Sequence, residues 1–116
     1  MELKKLYSLD KISEYVGGDK DEILEMITLF LETIPTDIDK LPEFANNGDW
    51  QSVYKIAHKV KPSFDVFAMD DIHADLRTIE VLARNNNEDG NLVALISELI
   101  EKVNDIVLLL KAEVDE

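Results

Sequence analysis

The chain has 116 residues, 46% of them hydrophobic, with 25 Asp/Glu against 12 Lys/Arg and a net charge of −13. That size reads as one domain over residues 1–116 with enough apolar residues for a core, and its acidity excludes a nucleic-acid binder, which needs a broad cationic surface. With no cysteine, disulfides and thiolate chemistry are excluded, and no apolar run approaches the roughly 18 residues of a membrane span.

Met1-Glu2-Leu3-Lys4-Lys5 is not followed by an apolar run of signal-peptide length, so the expected location is the cytoplasm. Ser8 to Val16 reads as a short first helix stopped by Gly17-Gly18. Asp19-Lys20-Asp21-Glu22 has the pattern of a capping box and opens a helix through Ile34. Pro35 is expected to break or bend it, with residues 36–46 continuing as helix despite Pro42. Asn46-Asn47-Gly48 makes a turn, and Asp49 is a suitable N-cap for a helix running to about Phe67. Asp70 is positioned to cap the next helix, whose apolar face is Ile72, Leu76, Ile79 and Ala83.

Asn85 to Leu92 imitates the first half of a calcium loop, but the twelfth position is Ile96 rather than a bidentate Glu, so it reads as a helix–helix turn and no metal site is expected. The last helix carries Leu92, Ile96, Leu99, Val103, Ile106 and Leu110 at spacings of 4, 3, 4, 3 and 4. Four long amphipathic stretches with short connections predict an all-α, antiparallel four-helix bundle, with the short N-terminal helix covering one end.

One segment stands out chemically. Lys55, Lys59 and Lys61 are three of the twelve basic residues and fall within seven positions around His58. Val53, Ala57, Val60, Phe64 and Phe67 form one helical face, and His58 lies about 120–140° from its middle. The imidazole is therefore displayed on a helix surface. Tyr54, Lys55, Lys61 and Pro62 are its neighbours at i−4, i−3, i+3 and i+4. A neutral ring nitrogen is nucleophilic near neutral pH, and a cationic spot suits a transient anion such as a phosphoryl group. His73, with Asp70, Asp71 and Asp75 nearby in sequence, reads as a boundary histidine that pairs with a carboxylate. No Gly-rich phosphate loop or kinase signature is present, so a phosphoryl group must come from another protein.

His58-Lys59-Val60-Lys61-Pro62-Ser63-Phe64 resembles the signature of the histidine phosphotransfer family, whose pattern is a histidine, two residues, lysine, glycine, serine and an apolar run. Tyr7-Ser8-Leu9-Asp10 with Gly17-Gly18-Asp19, Leu29-Phe30-Leu31 before Pro35, and Asn47-Gly48-Asp49-Trp50 extend the resemblance to residues 6–112. The departures are Pro62 where glycine is usual and Ala68 where a second glycine often stands.

The resemblance implies a phosphoryl carrier rather than an enzyme with its own kinase activity. His58 would be the phosphoacceptor, attacking through Nε2, with Lys61 giving phosphoryl and charge support and Lys55, Pro62 and Ser63 in supporting places. It implies response-regulator receiver domains and a hybrid sensor histidine kinase as partners, a monomer, no cofactor on this chain and Mg2+ on the receiver. Surplus hydrophobics on the helix of residues 19–34 mark a docking patch shared with the histidine helix, assigned to Leu24 and Leu31 with Tyr54. Two other classes stay open: a helical adaptor that binds receivers or kinases without being phosphorylated, and an acidic bundle with an unrelated structural role.

Overall fold

The described residues of the computed structural model are 6–88 and 90–115, and they form six helices and no strand. Residues 1–5, Asp89 of the predicted turn and Glu116 lie outside them. The helices are α1 (Asp10–Tyr15), α2 (Lys20–Ile38), α3 (Leu41–Asn46), α4 (Trp50–Val66), α5 (Asp70–Arg84) and α6 (Leu92–Val114). The long helices pack in a ring, α2 on α4, α4 on α5, α5 on α6 and α6 on α2, which is a four-helix bundle.

Each long helix turns its predicted stripe inward. Val53, Ala57, Val60 and Phe64 of α4, Leu76 and Ile79 of α5, and Leu92, Leu99 and Leu110 of α6 are all fully buried. Phe30 of α2 meets Phe64 and Phe67 edge-on, with ring centroids 5.3 and 5.1 Å apart, which locks α2 against the histidine helix.

The two short helices cover the ends. α1 packs on α2, and its approach is pinned by Ser8 N–H donating to the Phe67 carbonyl at 2.8 Å and by Lys11 pairing with Asp65 at 3.1 Å. Tyr7 donates its hydroxyl to Glu113 at 2.5 Å, tying the chain before α1 to the end of α6. Burial and then this carboxylate push the Tyr7 phenol up to about 12. α3 packs on α4 and α6.

Several boundaries differ from the sequence reading. Pro35 does not end its helix, because buried Ile34 and Ile38 hold the register across it. The break comes at Asp39-Lys40, and Pro42 accounts for it: its missing N–H is the one that would bond the Ile38 carbonyl. In α3 that proline sits in the first turn, where no donor is needed. Asp19 accepts from the N–H groups of Asp21 and Glu22, but its own N–H goes to the Val16 carbonyl, so only half of the predicted capping box forms. Asp70 is the first residue of α5 rather than its cap. It favours the helix through the dipole instead. Asp49 caps α4 as predicted, accepting from Ser52 N–H at 3.2 Å and Ser52 Oγ at 2.7 Å.

The turn after α4 carries strain. Ala68 adopts φ +55°, its N–H bonds to the Asp65 carbonyl, and Met69 N–H bonds to the Phe64 carbonyl, both at 2.9 Å. This is a Schellman motif with alanine at the position that favours glycine. It is also where the resembled family often carries glycine. A left-handed alanine costs about 1–2 kcal/mol, part of which glycine returns as unfolded-state entropy. Ala68→Gly is therefore expected to add about 0.5–1 kcal/mol, read as a melting temperature roughly 2–4 °C higher. A lower melting temperature would remove the strain argument.

Candidate functional site

α4 presents His58 at mid-helix, with 64% of its side chain exposed. The Pro62 ring lies on the same exposed face, and α4 continues one turn past it to Val66. Phe64 and Phe67 keep the apolar register beyond the proline, so the helix stays docked although the proline N supplies no hydrogen bond to the His58 carbonyl.

The sequence reading missed the residue closest in function to the imidazole. Glu80 of α5 lies at the edge of that helix's apolar stripe, with only 10% of its side chain exposed. Its Oε2 is 3.5 Å from His58 Nδ1, and its Oε1 is 2.7 Å from Lys61 Nζ. Oε1 is buried and accepts no well-aligned hydrogen bond among the described residues, so the Lys61 ammonium compensates it through charge at close range. Burial pushes the Glu80 carboxyl up, but the Lys61 and His58 contacts together outweigh it and hold it below the ordinary carboxylate range. Glu80 is therefore ionised at neutral pH and can only accept. An acceptor at this edge favours the tautomer with the hydrogen on Nδ1, which leaves the lone pair on Nε2, the nitrogen facing away from this contact. A glutamate next to Ile79, at the edge of the apolar stripe, was the available sequence signal. Its partner on α4, 22 residues away, depends on how the two helices are rotated against each other.

The basic island is less cationic than its composition implies. Lys61, 23% exposed, is neutralised by Glu80, and Lys59 pairs with Asp37 of α2 at 3.2 Å. Lys55 is exposed and has no carboxylate within ion-pair distance among the described residues. The tertiary structure adds a basic residue that the sequence reading did not single out. Arg84 of α5 donates to the Tyr54 hydroxyl at 2.8 Å, its guanidinium carbon 5.1 Å from the ring centroid. Tyr54 is half-buried and stacks on His58, with centroids 5.8 Å apart and planes 10° from parallel. His73 is half-buried near Asp65, whose carboxyl is held low chiefly by Lys11.

The docking residues separate. The groove between α2 and α4 has a volume of about 150 Å³ and is lined by Met26, Leu29, Phe30, Thr33, Ser63 and Val66, with Phe67 at its floor. Leu29 is 61% exposed there. Leu24 and Leu31 do not line it. They are half-buried against the core about 140–160° round α2 from Met26, so the open flank beside the histidine helix is Met26 and Leu29. Ser63 faces this groove about 140° round α4 from His58, so it does not steady the imidazole by direct contact. A second cleft, of about 320 Å³, lies beside Tyr54 and is walled by Trp50 and Arg84.

Among the described residues no helix is long and apolar enough to cross a membrane, and no group of three or more His, Cys, Asp or Glu side chains is placed to hold a metal ion. The family model described as Hpt domain matches residues 25–115. A search of curated proteins and a search of solved structures return no match. Domains of this family carry phosphoryl groups on histidine in phosphorelays, as carriers rather than kinases, and interact with receiver domains and kinases. With the match spanning α2 to α6 and the histidine of the motif exposed at the centre of its helix, the chain belongs to the histidine phosphotransfer (Hpt) domain family.

Proposed function

We propose that His58 accepts a phosphoryl group from the aspartyl phosphate of one receiver domain and passes it to the aspartate of another. The observation that carries this reading is the pairing of an exposed imidazole with a buried, ionised Glu80 at its Nδ1 edge. The Nε2 lone pair forms the N–P bond. The P–O bond of the acyl phosphate breaks, and its electron pair leaves on the receiver carboxylate. The Nδ1 hydrogen stays on the ring beside Glu80 throughout, so no proton has to move. On the onward transfer the ring departs as neutral imidazole. Lys61 lies one turn along α4 from His58, and its ammonium is shared with Glu80. The incoming phosphoryl charge draws on that ammonium, and exposed Lys55 adds long-range attraction.

The bundle supplies position and charge, and the receiver supplies the magnesium ion and the second half of the site. Receivers dock over the Met26–Leu29 flank of α2 and the His58 face of α4, by apolar contact with charge steering. A hybrid sensor kinase with its own receiver is the expected source of phosphate, and the cytoplasm the expected place.

The test is incubation with a panel of phosphorylated receivers. Wild type is expected to take up an acid-labile, base-stable phosphoryl group, mapped to His58 under alkaline conditions. His58→Gln is expected to bind receivers and transfer nothing. Transfer retained in that variant, or phosphate found mainly on His73, would overturn the assignment. Receiver binding by wild type without any transfer would favour an adaptor.

A further inference from the structure

Tyr54 sits beside the phosphoacceptor rather than on the groove between α2 and α4. An imidazole with 64% of its side chain exposed samples several rotamers on the picosecond-to-nanosecond scale unless something restrains it. The Glu80 contact, at 3.5 Å, lies beyond the usual 2.7–3.2 Å range and does not fix the ring by itself. Tyr54, one turn back on α4, lies alongside the imidazole with its ring nearly parallel and laterally displaced, centroids 5.8 Å apart. The tyrosine ring is anchored in turn, since its hydroxyl accepts from Arg84 at 2.8 Å and the guanidinium lies 5.1 Å from its centroid. Arg84 follows Glu80 by one turn of α5, so a single face of that helix restrains the imidazole twice. Glu80 acts at the Nδ1 edge, and Arg84 acts through Tyr54 alongside the ring.

We infer that Tyr54, held by Arg84, is a positioning residue that sets the plane of the His58 ring and so aims the Nε2 lone pair at the incoming phosphorus. The inference rests on His58 being the phosphoacceptor. In-line attack requires the lone pair, which lies in the ring plane, to point along the breaking P–O bond. The tyrosine lies alongside an imidazole that keeps 64% of its side chain exposed, so this neighbour does not close the site to a partner. What it removes is the rotational freedom that would otherwise spread the lone pair over many directions.

The experiment compares transfer from a phosphorylated receiver at saturating receiver concentration with receiver affinity measured separately. Tyr54→Leu keeps apolar bulk and loses the ring. It is expected to lower the saturated transfer rate about tenfold while receiver Kd stays within about twofold. The side-chain rotamer populations of His58, read from its NMR couplings, should broaden as the neighbouring ring is lost. An unchanged saturated rate, or a loss confined to affinity, would overturn the inference and make Tyr54 a docking residue. Should Tyr54→Leu not fold, Tyr54→Phe and Arg84→Gln carry the test. Each breaks the same hydrogen bond, so each is expected to slow transfer about threefold and the double variant no further. Additive losses would overturn the Arg84 anchor. If His58→Gln is dead while Tyr54→Leu transfers normally, only the positioning role falls. If His58→Gln still transfers, the phosphoacceptor reading itself falls.

Discussion

Phe64→Ala is expected to cost the fold about 3–5 kcal/mol. Phe64 is fully buried and is the largest of the completely enclosed side chains. Its ring packs edge-on against Phe30 at 5.3 Å, and its carbonyl receives the Met69 N–H that closes the turn after α4. Truncation removes one of the two edge-on contacts that join Phe30 of α2 to the histidine helix and its end, and leaves a cavity at the Schellman turn. A domain of this size has roughly 5–15 kcal/mol in total, so the loss takes a large share of it and lowers the melting temperature by roughly 10–20 °C. Urea denaturation measures it directly. His58 lies about 120° round α4 from Phe64, so the residual folded protein should still accept phosphate in the cold. A cost under about 1 kcal/mol would mean that the core closes over the gap and that this packing is not what holds α4.

Lys61→Met is expected to cost about 1–3 kcal/mol at neutral pH and to reverse the pH dependence contributed by Glu80. Removing one partner of a buried ion pair costs 3–5 kcal/mol in a fully dry site, and the 23% exposure of Lys61 screens part of that. In wild type, the folded-state pKa of Glu80 lies below its ordinary value of 4.5. The stability it contributes is present above that ordinary value and is lost as pH falls through the depressed folded one. In Lys61→Met, burial acts against only the weak imidazole contact, and the folded pKa moves above the unfolded value. Stability then falls as pH climbs from the unfolded value through the raised folded one. The difference between wild type and variant should therefore be smallest below the depressed folded value and grow as pH rises past the unfolded value and through the raised one, with the general acidic repulsion of the chain cancelling between them. Lys61→Met/Glu80→Gln should recover much of the loss. A difference that is flat with pH would show that Glu80 does not depend on this lysine.

The bundle was legible because its information is local and periodic. Val53, Ala57, Val60 and Phe64 repeat at helical spacing, as do Leu92, Ile96, Leu99 and Val103, and each set is buried where the repeat places it. The outward direction of His58 follows from the same period. Asp49 as a cap follows from side-chain chemistry within four residues. Two features were not legible in this way. Pro35 was overweighted because a lost backbone bond is visible in sequence, whereas the burial of Ile34 and Ile38 that offsets it is not. Leu24 and Leu31 lie half-buried away from the groove beside α4, and a surplus of hydrophobics on α2 does not say which flank a neighbour covers; their assignment to docking is a matter for receiver binding.

By itself the sequence determined the helical class, the histidine that faces out, the lysine one turn from it and the family resemblance. All of these depend on spacing within one helix or on a contiguous motif. Only the tertiary structure decided that Glu80 reaches the imidazole and Lys61, that Arg84 holds Tyr54, and that Met26 and Leu29 form the open flank. Those contacts join helices that pack at one particular rotation about their axes. That rotation comes from the packing of buried side chains summed over the whole core, and no short stretch of the chain contains it.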